Sequence, residues 1–223
     1  WYDSNENIPF KKLKKITKVF HEIKFDKKFL SFLEFFRQYN LVSTGKMFKL
    51  VIPQNKLINE ISDWDANKKE TFLSSETKLK LTEFQNDFAS KLISSVKKSE
   101  FKRFLIDGVT GSGKTEIYFE AVNQVIKKGN QALILLPEIS LVDTLVNRVH
   151  RRFGFEPSVW HSNTSPSKKK EIWKNVFNGN ENLVIGARSS LFWPFKNLTL
   201  IVVDEEHDTT YKQQEQIIYN ARD

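Results

Sequence analysis

The sequence predicts an α/β domain built on a mostly parallel sheet, preceded by a small, basic and mainly helical segment. Three observations carry this. Short, predominantly apolar runs at 104–106, 132–136, 158–160, 183–185 and 200–203 alternate with amphipathic stretches at 114–127, 141–153 and 167–177. Runs that are apolar throughout are buried on both faces, and the alternating helices supply the cover. A Gly-rich loop joins the first run to the first amphipathic stretch, and an acidic cluster, Asp204-Glu205-Glu206, closes the last run.

The 223 residues suffice for one ordinary domain plus an extra element, or two small domains. A hydrophobic fraction of 39% with 28% charged residues describes a globular chain with material for a full core. The formal net charge of +8 favours a polyanionic partner, although heavy use of Lys would give the same surplus. The chain holds no Cys, which excludes disulfides and thiolate metal sites within it, and its four His are not spaced as ligands. Its apolar runs are too short for a bilayer and no signal peptide is visible, so a cytoplasmic address without membrane partners is expected. The chain opens on Trp1 and ends at Asp223 inside an informative stretch, and it reads as part of a longer protein.

Three regions follow. Residues 1–60 carry 12 Lys and Arg against 6 Asp and Glu, so most of the positive surplus lies there. Phe29, Phe32, Leu33 and Phe36 mark one amphipathic helix whose apolar stripe is expected to pack into a core. Residues 61–80 are polar and aperiodic and read as a linker. From residue 81 to 223 the α/β pattern holds, beginning with a helix face traced by Phe84, Phe88, Leu92 and Val96.

Gly108-Val109-Thr110-Gly111-Ser112-Gly113-Lys114-Thr115 matches G-x-x-x-x-G-K-[ST] in full, between a strand candidate and a helix candidate. Gly permits the loop's positive φ angles and lets backbone N–H groups close on phosphate at a helix N-terminus. Lys114 would reach the β- and γ-phosphates of ATP, and Thr115 would offer its hydroxyl to Mg²⁺. A buried strand ending in Asp204-Glu205-Glu206-His207 supplies the complement: Asp204 as a Mg²⁺ partner and Glu205 as the base that orients water. Adjacent carboxylates repel one another, and a nearby cation gives them a reason to coexist.

Asp204-Glu205-Glu206-His207 resembles the acidic box of superfamily-two helicases. Together with Asp107 to Glu116, Leu136-Pro137-Glu138-Ile139-Ser140-Leu141, Gly186-Ala187-Arg188-Ser189-Ser190-Leu191-Phe192 and Tyr211-Lys212-Gln213, it resembles the PriA family of primosomal replication-restart helicases. The resemblance is dense over 81–223 and weaker at Ile8-Pro9-Phe10 and 29–53. It implies that 81–223 is the first RecA-like motor lobe, truncated at its C-terminal end, and that 1–60 is the tail of a DNA-binding region. It also implies ATP-dependent 3′→5′ unwinding in replication restart and primosome assembly. The implied partners are single-stranded and forked DNA, with the primosome and single-strand-binding proteins for the longer protein. A second lobe, its arginine finger and a zinc-binding Cys-rich module would lie beyond Asp223, so these residues alone would turn over ATP weakly or not at all.

The resemblance also implies roles residue by residue. Gln85 would read adenine. Pro137, Glu138 and Ser140 would contact DNA, as would Gly186, Ala187, Arg188 and Ser189, through phosphates that fix position without reading sequence. Glu206 completes the acidic box, and His207 would couple the ATP site to DNA. Tyr211, Tyr219 and Arg222 would belong to an aromatic-rich loop that senses DNA by stacking on bases. Blander readings stand beside these: Pro137 to Ser140 as a strand end and helix cap, Arg188 as an ion-pair partner, and Tyr211 and Tyr219 as half-buried aromatics. Trp160 reads as packing, and His161 is open. The stretch 53–81 is short for the winged-helix domain expected there, and Gln216-Ile217-Ile218-Tyr219-Asn220 stands where a Gly-Pro-containing stretch is expected. The rivals are another superfamily-two translocase, RecG-like or restriction-type, and a non-motor P-loop nucleotide switch.

Overall fold

The computed structural model describes residues 23–52, 80–98, 100–161, 163–215 and 217–222. The expected linker lies almost wholly outside the described residues, as do 1–22 and 53–60 of the basic segment.

Four parallel strands form the sheet: β1 (Gln131–Leu135), β2 (Ser158–Trp160), β3 (Leu183–Gly186) and β4 (Leu198–Val203), in the order β2-β3-β1-β4. Every residue of β1 and β3 is buried, which is why those runs carry no polar alternation. Successive side chains alternate in direction. Ala132 and Ile134 enter one core with α3 (Glu83–Lys98), α4 (Lys114–Lys127) and α5 (Val142–Phe153). Leu133 and Leu135 enter the opposite core with Ile172, Trp173 and Val176 of α6 (Pro166–Asn178), together with Trp193 and Tyr211.

Local chemistry sets the helix ends. Ser165 caps α6 by accepting from Lys168 N, and Pro166 begins it with φ already fixed. Gly154 and Gly179 close α5 and α6 in the left-handed region, where a Cβ would be strained.

One expectation is corrected. Residues 104–106 do not join the sheet; Phe104 and Leu105 are exposed, and only Ile106 packs against the core. Among the described residues β4 pairs only with β1, so no strand covers its outer edge. For the same reason β4 is only half-buried, and Ile201 lies exposed. The described part of the basic segment packs on the α/β unit. It forms α1 (Lys27–Tyr39), capped by Asp26, and α2 (Thr44–Val51). Leu33, Phe36, Met47 and Val51 pack with Phe192, Ile217 and Tyr219, and Trp173 Nε1 donates to Val51 O at 2.8 Å. The apolar stripe read from the sequence therefore buries itself on the lobe.

Candidate nucleotide site and its surroundings

The C-terminal ends of all four parallel strands face one edge, where open α/β sheets place their ligands. The phosphate loop runs into α4. Gly111 and Gly113 have φ of +82° and +85°, angles that only glycine adopts without strain. Lys114 folds back onto the loop, donating to Gly108 O at 2.7 Å. Gln85 donates to Ser112 O at 3.0 Å and accepts from Thr82 N, so its amide lies against the phosphate loop. Thr110 stands at the turn of that loop.

Asp204 follows the last residue of β4, and its backbone N–H donates to Leu135 O. Its Oδ2 accepts from the hydroxyl of Tyr118, one turn after Thr115 on α4, at 3.0 Å, and its Oδ1 accepts from Glu205 N at 3.1 Å. Burial and the Asp204 carboxylate push the Tyr118 hydroxyl far above its ordinary range, so it stays a proton donor. Thr115 accepts from Arg148 of α5 at 3.0 Å, and the same guanidinium pairs with Glu116 at 2.7 Å. Glu205 sits at φ +48°, which costs a non-Gly residue about 1–2 kcal/mol. His207 Nδ1 lies 3.8 Å from Glu205 Oε2, and Arg222 pairs with Glu206 at 3.2 Å.

Among the described residues no cluster of three His, Asp or Glu could hold a metal. Mg²⁺ keeps most of its waters and binds through one or two protein oxygens plus substrate phosphate. The hydroxyl of Thr115 and the carboxylate of Asp204 are oxygens of the kind such a cation takes, and Tyr118 of α4 donates to the second of them.

The residues expected to contact DNA divide. Pro137, Glu138 and Ser140 follow β1, and Ser140 Oγ donates to Glu138 Oε2 at 2.9 Å. Gly186 ends β3, where a Cβ would come within 2.4 Å of Ser190 Oγ, and Ala187 N donates to Trp160 O. The Ser189 hydroxyl accepts from Trp160 Nε1 at 3.2 Å. Arg188 donates to the carbonyl oxygens of Thr210 and Lys212, so it joins two loops rather than pairing with a carboxylate. Tyr211 and Tyr219 are corrected: both are buried, at 2% and 5% exposure, and neither ring is open to a base. The Tyr211 hydroxyl donates towards Leu135 O and Asp204 O, tying the ends of β1 and β4 together. Residues 208–222 are not a bare loop. They form a short 3-10 turn, Thr209–Tyr211, and a hairpin of β5 (Lys212–Gln213) and β6 (Tyr219–Asn220). Apolar rings gain more from the core than from solvent, and nothing in a sequence tells a Tyr awaiting a base from one inside a core. Trp160 packs edge-on against Trp193, and His161 Nδ1 accepts from Asn163 N.

Sequence reasoning missed Tyr118 and Arg148. The available signals were a lone Tyr one helical turn past Thr115, and matched four-residue spacings of Glu116 and Glu120 on α4 and of Arg148 and Arg152 on α5.

Comparison with known proteins fits this geometry. A family model described as DEAD/DEAH box helicase matches residues 82–223. The chain belongs to the DEAD/DEAH box helicase family. Replication restart protein PriA of Rickettsia conorii is 41% identical over 218 residues, covering 97% of this chain and 32% of that protein. PriA of Bacillus subtilis is 43% identical over 145 residues, 65% of this chain and 18% of that protein. PriA of Haemophilus influenzae is 47% identical over 125 residues, 56% of this chain and 17% of that protein. The chain thus spans about a third or less of the curated relatives it matches. A solved structure described as RecG bound to a three-way DNA junction superposes with a TM-score of 0.53 at 26% identity, covering 64% of this chain and 20% of the other. The helicase family, the parallel sheet and the RecG likeness together make the α/β unit a RecA-like lobe. Among the described residues no helix is long and apolar enough to cross a membrane.

Proposed function

We propose that this chain is the ATP-binding lobe of a DNA-dependent motor, and that the motor is a 3′→5′ helicase acting in replication restart and primosome assembly. The observation that carries the reading is the placing of Lys114 and Thr115 at the start of α4 and of Asp204 after β4, with Tyr118 of α4 donating to the Asp204 carboxylate. The relatives named replication restart protein PriA, at 41–47% identity, support the cellular role.

Lys114, which donates to the carbonyl of Gly108, would turn to the β- and γ-phosphates, and Thr115 and Asp204 would hold Mg²⁺. Bound Mg²⁺ neutralises charge developing on the phosphates. Glu205 orients and deprotonates the attacking water, Glu206 holds Arg222, and His207 stands beside Glu205 as the link to DNA. Gln85 leaves Ser112 O to read adenine. Pro137, Glu138, Ser140, Gly186, Ala187, Arg188 and Ser189 line the DNA side, whose partners are single-stranded and forked DNA. Primosome and single-strand-binding proteins, and a cytoplasmic address, follow from the same role. The zinc module of the resemblance would need residues other than these, which include no Cys. We expect these 223 residues on their own to turn over ATP slowly, since an arginine finger supplied from elsewhere is worth roughly 10³–10⁵ in rate.

A RecG-like translocase is the second reading, favoured by the junction-bound neighbour. The test is nucleotide binding and ATPase rate against DNA concentration at fixed salt, for wild type and Lys114→Ala. We expect Mg²⁺-dependent ATP binding by these residues, lost in the variant, and, in the longer protein that contains them, ATP turnover stimulated by forked or single-stranded DNA. Preference for a three-way junction would favour the second reading, and binding without any response to DNA would leave a nucleotide switch.

A further inference from the structure

We infer that Tyr118 is a positioning residue of the cation site: its buried phenol fixes the Asp204 carboxylate and so sets the site's affinity for Mg²⁺ delivered with nucleotide. This deepens the proposed function and rests on its assignment of Thr115 and Asp204 as the cation's partners.

Tyr118 lies on α4 one turn beyond Thr115, so the first helix after the phosphate loop carries both the hydroxyl offered to the cation and the phenol that reaches β4. Its ring is 5% exposed, belongs to the core beneath the sheet and meets Phe119 edge-on at 5.3 Å. A phenol held this way cannot swing to solvent, so its hydroxyl needs an acceptor nearby. Asp204 is that acceptor.

The carboxylate is then held twice, Oδ2 by Tyr118 and Oδ1 by Glu205 N, while its own backbone is pinned to β1 through Leu135 O. Two fixed donors leave one orientation for the remaining lone pairs. Thr115 lies one turn before Tyr118 on the same helix, so α4 carries one cation partner and fixes the other before the cation arrives. A cation that binds few protein oxygens gains most when those oxygens are already placed.

The experiment titrates Mg²⁺ against binding of a fluorescent ATP analogue to the 223-residue chain, for wild type, Tyr118→Phe, Asp204→Asn and the double variant. Phe keeps the ring and its packing, and melting curves report the fold of each protein. Removing a group that orients a metal ligand typically costs 10–100-fold in metal affinity. The Mg²⁺ midpoint of Tyr118→Phe should therefore rise by about tenfold or more, with Mg²⁺-free nucleotide binding unchanged. The double variant should match Asp204→Asn alone, because the phenol acts only through that carboxylate. An unchanged midpoint in Tyr118→Phe, with or without a lower melting temperature, would overturn the positioning role and leave the ATP-site reading standing. A double variant worse than Asp204→Asn by the full Tyr118 factor would overturn it too. If wild type binds nucleotide without regard to Mg²⁺ or Lys114, the ATP-site reading fails and this inference with it.

Discussion

Arg148 of α5 donates to the hydroxyl oxygen of Thr115 at 3.0 Å, which places a guanidinium against a hydroxyl assigned to Mg²⁺. The same side chain pairs with Glu116, and one turn later Arg152 pairs with Glu120, so α5 is bolted to α4 by two parallel ion pairs. Because α5 follows the 137–141 turn, this bolt connects that turn with the phosphate loop.

Arg148→Met keeps the aliphatic stem and removes the charge. Glu116, whose side chain is 19% exposed, then loses its partner, and a buried charged group left unsatisfied costs about 1–3 kcal/mol. The denaturation midpoint should fall accordingly. The Mg²⁺ needed for nucleotide binding should fall as well, since a positive charge beside the cation's hydroxyl has gone. A higher Mg²⁺ requirement would mean that Arg148 supports the site instead of opposing the cation.

Glu205 makes the second case, because a functional carboxylate occupies a left-handed backbone position at φ +48°. Glu205→Gly relieves that conformation and should stabilise the chain by about 1 kcal/mol. Glu205→Gln should leave stability unchanged. Both should bind ATP and lose hydrolysis, since neither an amide nor a hydrogen can act as the base. Thermal melts with ATPase rates decide this: near-normal turnover in Glu205→Gln would remove Glu205 from its assigned role.

What the sequence made legible follows from how local each signal is. The helix at 114–127 and the strands at 132–136 and 183–185 were readable because periodicity and the phosphate loop are written within a few residues. The run at 104–106 was misread because a strand exists only through its neighbours, and those are distant in sequence. Tyr211 was misread for the opposite reason. Its polar, aperiodic flanks suggested a loop, yet the ring reaches 76 residues back to the end of β1. The docking of α1 and α2 on the lobe was not readable at all, since the Phe stripe announced burial without saying against what.

Tyr219 offers a test of that corrected reading. Its ring lies among Phe36 and Phe192, and its hydroxyl is buried with no hydrogen-bond partner among the described residues. Burial pushes the phenol up to about 12, with Arg188 pulling slightly the other way. A buried donor without a partner costs about 1–3 kcal/mol, so Tyr219→Phe should leave stability unchanged or raise it. Loss of more than about 1 kcal/mol on chemical denaturation would show that the hydroxyl has a partner worth a normal hydrogen bond.

Trp173 ties the two halves of the described chain together. Its indole N–H donates to Val51 O, the carbonyl of the last residue of α2, at 2.8 Å across 122 residues of sequence. A helix leaves its final carbonyls without partners inside the helix, and this one lies in a core where water does not replace the lost bond. Trp173→Phe keeps an aromatic ring stacked near Phe177 but removes the donor and some volume. The missing bond alone should cost about 1–3 kcal/mol, and most of that loss should fall on the contact between α2 and the lobe. Limited trypsin digestion reads the difference, because Lys46 and Lys49 sit on α2 and Lys168, Lys169 and Lys170 on α6. Cleavage at Lys46 and Lys49 should accelerate in the variant well before cleavage within α6. Equal acceleration at both places would mean that the helices and the lobe unfold as one unit, and unchanged cleavage at Lys46 and Lys49 would mean that the Phe cluster alone holds α2 in place.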